Sequence, residues 1–153
     1  MATGDIKLVF AADASASITI TSLATDANLL AGAESQAVDN STNLYLDYLL
    51  SGKLTTGTTP TDAKQIEIWV YSQIDDTPTY PDTFDGVDNG EVETITSAGI
   101  KNSMLKLLTV VSTNNTSDRT YPFGPYSLAN LFGGTCPQRW GYFVVHNTGV
   151  NFN

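Results

Sequence analysis

A strict alternation of side chains is the feature of this sequence that most limits what the chain can fold into. Within residues 66–74, Ile66, Ile68, Val70 and Ile74 fall on one face, and polar or aromatic residues occupy the positions between them. A period of two, built from β-branched and aromatic residues, predicts a β-strand with one buried face.

The same period recurs along the chain and predicts further strands. Residues alternate in four more rows: Ile6, Leu8 and Phe10; Ala16, Ile18 and Ile20; Leu44, Leu46, Tyr48 and Leu50; and Trp140, Tyr142, Val144 and His146. Residues 104–112 also fit helical spacing, but their β-branched residues favour a strand. Only residues 125–132 predict a short helix, because Pro125 suits a first helical position and Gly133-Gly134 supplies a stop.

These rows predict six to eight short strands and little helix, without a repeat of fixed period. The Thr-rich stretch from Gly52 to Ala63 predicts a hairpin connection between rows 44–50 and 66–74. The fold class that follows is all-β, an antiparallel two-sheet sandwich or jelly roll with long loops. Residues 1–153 form a single domain in this interpretation, whose first few residues are free to be mobile. Alternating strands and helices are lacking, which excludes the doubly wound nucleotide-binding folds.

The charge balance argues against several classes of partner. Seven Lys and Arg residues stand against sixteen Asp and Glu residues, which gives a net charge of −9. Nucleic acids and anionic membranes are both recognised by basic side chains, so neither is an expected partner. The start of the sequence does not resemble a signal peptide, and one cysteine cannot form an internal disulfide. We therefore expect a soluble protein made in a cytoplasm.

Catalytic motifs are missing from the sequence. His146 is the single histidine and Cys136 the single cysteine, and no P-loop, HExxH, CxxC or GxSxG spacing occurs. Because His146 shares a strand face with Trp140 and Tyr142, a structural histidine is the stronger interpretation. The prediction is a protein that is not an enzyme and has no cofactor.

An acidic segment covers residues 75–93, which hold seven of the sixteen acidic residues and no Lys or Arg. Carboxylates on a loop can bind calcium, and Asp82, Asp85 and Asp88 are the candidate ligands. Their order does not match an EF-hand, however, and a solvated acidic loop without metal is the preferred interpretation.

Aromatic residues on irregular segments are the candidate partner contacts: Tyr80, Phe84, Tyr121 and Phe123. The alternative is that these rings anchor their own loops or cap the end of the sandwich. The prolines around Tyr121 and Phe123 exclude a central strand there. A second set of rings could line a sugar platform, although such rings are more often core: Tyr45, Trp69, Tyr71, Tyr126 and Trp140.

The sequence of residues 40–150 resembles those of the small β-rich virion proteins of tailed bacteriophages, and most of all those of the capsid decoration (cement) proteins. The resemblance lies in Leu46-Asp-Tyr48, Gln65-Ile-Glu-Ile-Trp-Val-Tyr71, Tyr121-Pro-Phe-Gly-Pro-Tyr126, Leu131-Phe-Gly-Gly134 and Gln138-Arg-Trp-Gly-Tyr-Phe-Val-Val-His-Asn-Thr-Gly149. It implies a homo-oligomer, a dimer or trimer, that binds the major capsid protein on the outside of an assembled head. The competing hypothesis is a carbohydrate-binding or receptor-binding module of a phage fibre.

Overall fold

The computed structural model describes residues 10–153, and these form two antiparallel β-sheets with one α-helix. The strands are β1 (Ala31–Glu34), β2 (Val38–Asp39), β3 (Leu49–Thr55), β4 (Lys64–Ser72), β5 (Glu93–Thr94), β6 (Lys106–Thr113), β7 (Thr120–Ser127) and β8 (Arg139–His146). The α-helix, α1, spans Ala98–Met104, and a 3-10 helix spans Ala129–Phe132. The predicted all-β sandwich is confirmed. The first row of alternation and the expectation for the first few residues lie outside the described residues, except for Phe10.

Strands β4 and β8 form the centre of the larger sheet. Its order is β5-β1-β8-β4-β6, and β2 also pairs with β8. The smaller sheet, within the described part of the chain, consists of β3 and β7, which pair from Leu49 opposite Ser127 to Thr55 opposite Thr120. No helix among residues 10–153 combines the length and the apolar character that crossing a membrane requires.

Both faces of the central strands are buried, whereas the alternation in β4 predicted one. On the first face, Ile66, Ile68 and Val70 join the core that β3 and β7 cover. On the second face, Trp69 and Tyr71 join a separate apolar cluster. The second cover comes from the acidic segment and from α1. We call these two elements together the acidic layer, which gives the molecule three layers: the β3–β7 sheet, the main sheet and the acidic layer.

The predicted hairpin between rows 44–50 and 66–74 is wrong. Strand β3 pairs with β7, and β4 pairs with β6 and β8, so the connection between β3 and β4 crosses from one sheet to the other. Residues 44–48 precede β3 and are not strand. The crossing places the apolar residues Leu50 and Leu54 against the main sheet, where they are buried.

The position of the predicted helix is also wrong in part. Pro125 lies in β7, and helical structure begins only at Ala129 and is 3-10 in type. Gly133 ends it with a φ of 79°, as its sequence position suggested. Helix α1 was not predicted, although Ser97 supplies its N-cap and accepts a hydrogen bond from the amide of Ile100 at 3.2 Å.

The pairing of Gly141 with Tyr71 yields a stability prediction. Gly141 lies opposite Tyr71 in the β4–β8 ladder, and a Cβ atom at this position would overlap the tyrosine ring. We expect Gly141→Ala to lower the free energy of unfolding by about 2 kcal/mol, as overpacking of a core does. Thermal unfolding measures the effect.

The matched control is Gly99→Ala in α1. A Cβ atom at Gly99 meets only the Ser97 hydroxyl oxygen, at 3.7 Å, and alanine favours a helix. Its melting temperature should stay the same or rise slightly. Equal stability of the two variants would contradict the close packing of Tyr71 against β8.

Candidate interaction surface

Phe84, one of the four candidate contact rings, lies in the core rather than on a surface. Only 5% of the residue is exposed. Its ring stacks on Tyr71 with a centroid distance of 4.4 Å and meets Phe143 edge-on at 5.3 Å. Phe84 therefore anchors the acidic segment to the main sheet, and it offers no surface to a partner.

Tyr80 also packs against its own chain. Its ring lies edge-on to Tyr71 at 5.6 Å, and a Cβ atom on Gly86 would come within 2.6 Å of it. The exposed part lines a groove of about 310 Å³ beside the ion pair of Arg139 and Asp39, whose charged atoms are 2.8 Å apart. Tyr80 thus retains partial access to solvent inside a shallow groove.

Tyr121 and Phe123 lie on β7, which pairs only with β3 among residues 10–153, in agreement with the prediction that no central strand occurs there. Tyr121 is buried, and its hydroxyl donates a hydrogen bond to the Asn114 side-chain oxygen at 2.8 Å. The half-buried Phe123 ring occupies the space beside Gly52, where a Cβ atom would meet it at 2.7 Å. Both rings face the sandwich core, in agreement with the capping alternative. The four candidate rings therefore do not form one contact surface.

Three exposed leucines lie close together in sequence, Leu44 and Leu46 on the loop before β3 and Leu49 at the start of β3, and we call them the apolar ridge. Their exposed fractions are 60%, 75% and 52%. The sequence prediction placed Leu44 and Leu46 in a buried row. They are exposed because residues 44–48 form a loop, in which Leu44 has a φ of 51°.

A buried asparagine holds the apolar ridge in place. The Asn40 side chain donates to the Tyr45 carbonyl at 2.9 Å and accepts from the Tyr45 amide at 2.8 Å. Its oxygen also accepts from the Tyr48 hydroxyl at 3.2 Å. Because Asn40 is 2% exposed, these bonds are shielded from water, and the loop keeps its shape without burying its leucines.

The outer face of the β3–β7 sheet lies beside this ridge. One acidic residue, the exposed Asp47, belongs to the ridge loop and accepts a hydrogen bond from the Ala129 amide at 2.8 Å. Leu50 and Leu54 point inward, so Leu49 and Lys53 point outward. Neither strand contains Asp or Glu. We call this outer side the acid-free face.

The opposite side of the molecule is acidic. Five of the seven carboxylates of the acidic segment are exposed and two are half-buried: Asp75, Asp76, Asp82, Asp85 and Glu91, then Asp88 and Glu93. The charge of the chain is thus unevenly distributed between its two outer layers. This sidedness is not visible in the net charge alone.

The candidate metal ligands each bind a different part of the chain. Asp82 accepts from the amide and hydroxyl of Thr96 at 2.7 and 2.8 Å. Asp85 accepts from the Val87 amide and Asp88 from the Thr19 amide, both at 2.8 Å. Among residues 10–153, no three Asp, Glu, His or Cys side chains lie close enough to hold a metal ion.

Glu34 is a buried carboxylate that fastens the acidic layer. It accepts hydrogen bonds from the Tyr71 hydroxyl at 2.6 Å and from the amides of Asp85 and Gly86, both at 3.1 Å. Burial raises the pKa of Glu34 to about 7, against the opposing effect of the hydrogen bonds from Tyr71 and the two amides.

The two candidate catalytic residues are buried. His146 stacks on Phe152 at 3.9 Å and donates from Nε2 to the Leu23 carbonyl at 3.1 Å. Burial lowers the pKa of His146, which favours the neutral ring, and burial raises the pKa of Cys136 to about 12. Both residues have the environment of structural groups, as the strand position of His146 suggested.

The five rings considered for a sugar platform lie in different parts of the molecule. Trp69 and Tyr71 lie in the cluster under the acidic layer, and Trp140 lies in the core between the sheets. Only Tyr45 and Tyr126 are exposed. These five residues therefore do not form a continuous aromatic surface.

Comparisons of the chain with protein-family models, with curated proteins and with solved structures found no match.

The raised pKa of Glu34 predicts a specific pH dependence. Since the pKa is about 7 in the folded state and 4.5 ordinarily, the folded protein binds this proton more tightly than the unfolded chain does. The stabilisation of the folded state by this proton is complete below the ordinary pKa of a glutamate, and it is lost as the pH rises through the pKa of Glu34 in the folded state. We expect the melting temperature of the wild type to fall, relative to Glu34→Gln, by about 3 °C or more between about pH 5 and pH 8.

His146 contributes with the opposite sign, because its lowered pKa costs stability as the pH falls. This contribution is common to both proteins and cancels in the difference between them. Parallel melting profiles of the wild type and Glu34→Gln would contradict the assignment of a shifted carboxyl at position 34.

Proposed function

We propose that the protein is a capsid decoration protein, which binds the outside of an assembled tailed-phage head and stabilises it. The observation that carries the proposal is the apolar ridge beside the acid-free face. Leu44 and Leu46 are exposed on a loop that Asn40 holds in one shape, and the exposed Leu49 follows at the start of β3. A preorganised apolar surface of this kind supports docking on a protein, since little conformational entropy is lost on binding.

The sidedness of the charge supports one orientation on the head. The acid-free face and the ridge turn towards the major capsid protein, and the acidic layer turns outward. Exposed carboxylates on the outer side repel other particles and nucleic acid, which keeps decorated heads dispersed. The protein is made in the host cytoplasm in this proposal and is carried on the virion surface.

Stabilisation of the head follows from repetition rather than from one strong contact. A ridge of a few leucines supplies modest binding energy, since each buried aliphatic side chain contributes about 1.5–3 kcal/mol at most. Many copies that each bridge neighbouring capsid subunits resist expansion of the shell together. No catalytic step and no cofactor are part of this function.

Substitution of the ridge tests the proposal. Leu46→Ser removes the most exposed leucine of the ridge, and because the residue is exposed, the melting temperature should not change. We expect the dissociation constant for heads that lack the protein to rise about tenfold, which corresponds to about 1.4 kcal/mol. Co-sedimentation with such heads, prepared from the phage that encodes the chain, measures the change.

The matched control is Val92→Ser in the acidic segment, because Val92 is also apolar and is 53% exposed. It should bind as the wild type does. Equal binding of the wild type and Leu46→Ser would contradict docking through the ridge. If the wild type does not bind heads but is retained on a glycan column, the result would instead support the fibre-module hypothesis.

A further inference from the structure

Strand β6 is a long free edge of the main sheet. It pairs with β4 only, and no other strand of residues 10–153 forms a ladder with it. Two apolar residues of β6, Leu107 and Val110, are exposed, and so is Met104, which ends α1 just before the strand. A free edge presents unpaired amides and carbonyls, which is the surface that another strand can join.

The other edges of the two sheets carry the features that prevent such pairing. Strand β5 has only two residues, one of them Glu93. Strand β7 contains Pro122 and Pro125, and β3 contains Gly52 and Lys53. By contrast, β6 has no proline and no acid, and its single charge is Lys106 at its first position.

The alternation of backbone groups shows which residues of β6 face outward. The Gln65 carbonyl accepts from the Asn147 amide at 3.1 Å, so residue 65 directs its backbone towards β8. The next residue, Ile66, therefore faces β6, where it pairs with Val111. It follows that Val111 bonds to β4, and that its neighbours Val110 and Ser112 direct their amides and carbonyls to the open side.

We propose that two copies of this chain associate through their β6 strands, antiparallel and about a two-fold axis. With Val110 of one copy opposite Ser112 of the other, the outward groups of both residues form two pairs of hydrogen bonds across the axis. The main sheets of the two copies then become one continuous sheet. The irregular register of β6 lies near Leu107, outside the paired half of the strand.

A second copy suits this edge better than an unrelated strand for two reasons. Antiparallel pairing about a two-fold axis makes the segment around Val111 complementary to itself, so no second surface is needed. In addition, two chains with a net charge of −9 each must meet where neither has acidic residues, and β6 provides such a segment. The pairing leaves the apolar ridge and the acid-free face available.

The test uses proline to remove one outward amide. Val110→Pro deletes an amide that faces the open side and leaves the bonds between β4 and β6 in place. Val110→Thr is the control, because it keeps the amide and a β-branched side chain. Sedimentation of the full chain at increasing concentration should show a dimer for the wild type and the threonine variant, and a monomer for the proline variant.

Ser112→Pro repeats the test at the second outward position, should Val110→Pro fail to fold. Hydrogen exchange of the wild type adds a readout without substitution. The amides of Val110 and Ser112 should be protected when the chain is concentrated and should lose protection on dilution, whereas that of Val111 stays protected by β4. A wild type that remains monomeric, or a proline variant that dimerises equally well, would overturn the proposal. So would protected outward amides in a monomer, which would show that another segment of the same chain covers β6.

Discussion

Burial of both faces of β4 and β8 is the constraint on which the rest of the structure depends. One face is covered by a second sheet, and the other by the acidic layer, which consists of the acidic segment and α1. Phe84 anchors the acidic segment to this face by stacking on Tyr71, with a centroid distance of 4.4 Å. Glu34 then accepts from the Tyr71 hydroxyl and from two loop amides, so one buried carboxylate fixes both the ring and the segment that covers it.

A second buried polar group joins α1 to the same face. Lys101 donates to Glu67 at 2.7 Å and to the Leu29 carbonyl at 2.7 Å, and Glu67 also accepts from the Trp69 indole at 2.8 Å. A buried ion pair is costly unless its hydrogen bonds are satisfied, and here several are made on both sides. The acidic layer is therefore positioned by directional contacts, which leaves its exposed carboxylates on the outside.

Alternation in the sequence predicted the positions of the long strands of the main sheet, although it did not predict that both faces of β4 and β8 are buried. The row from Trp140 to His146 lies wholly within β8, and residues 104–112 overlap most of β6. The row 44–50 failed because local hydrogen bonds from Asn40 form a loop there, and alternation alone cannot detect them. Tyr80 and Phe84 lie on a loop, as predicted, whereas Tyr121 and Phe123 lie in β7. Phe84 nevertheless faces inward, because it covers a face of the main sheet that the alternation in β4 predicted to be exposed. Whether a loop aromatic faces inward depends on which surfaces lack a cover, and this is a property of the assembled sheets.

The two outer layers differ in chemistry, and this difference connects the fold to the proposed decoration of a phage head. A reconstruction of the intact phage particle by electron cryo-microscopy tests that claim most directly. Our account predicts copies of the protein at regular positions on the outside of the head, with Leu46 towards the capsid and the acidic layer towards solvent. Density for the chain at a tail fibre, or its absence from the particle, would contradict it.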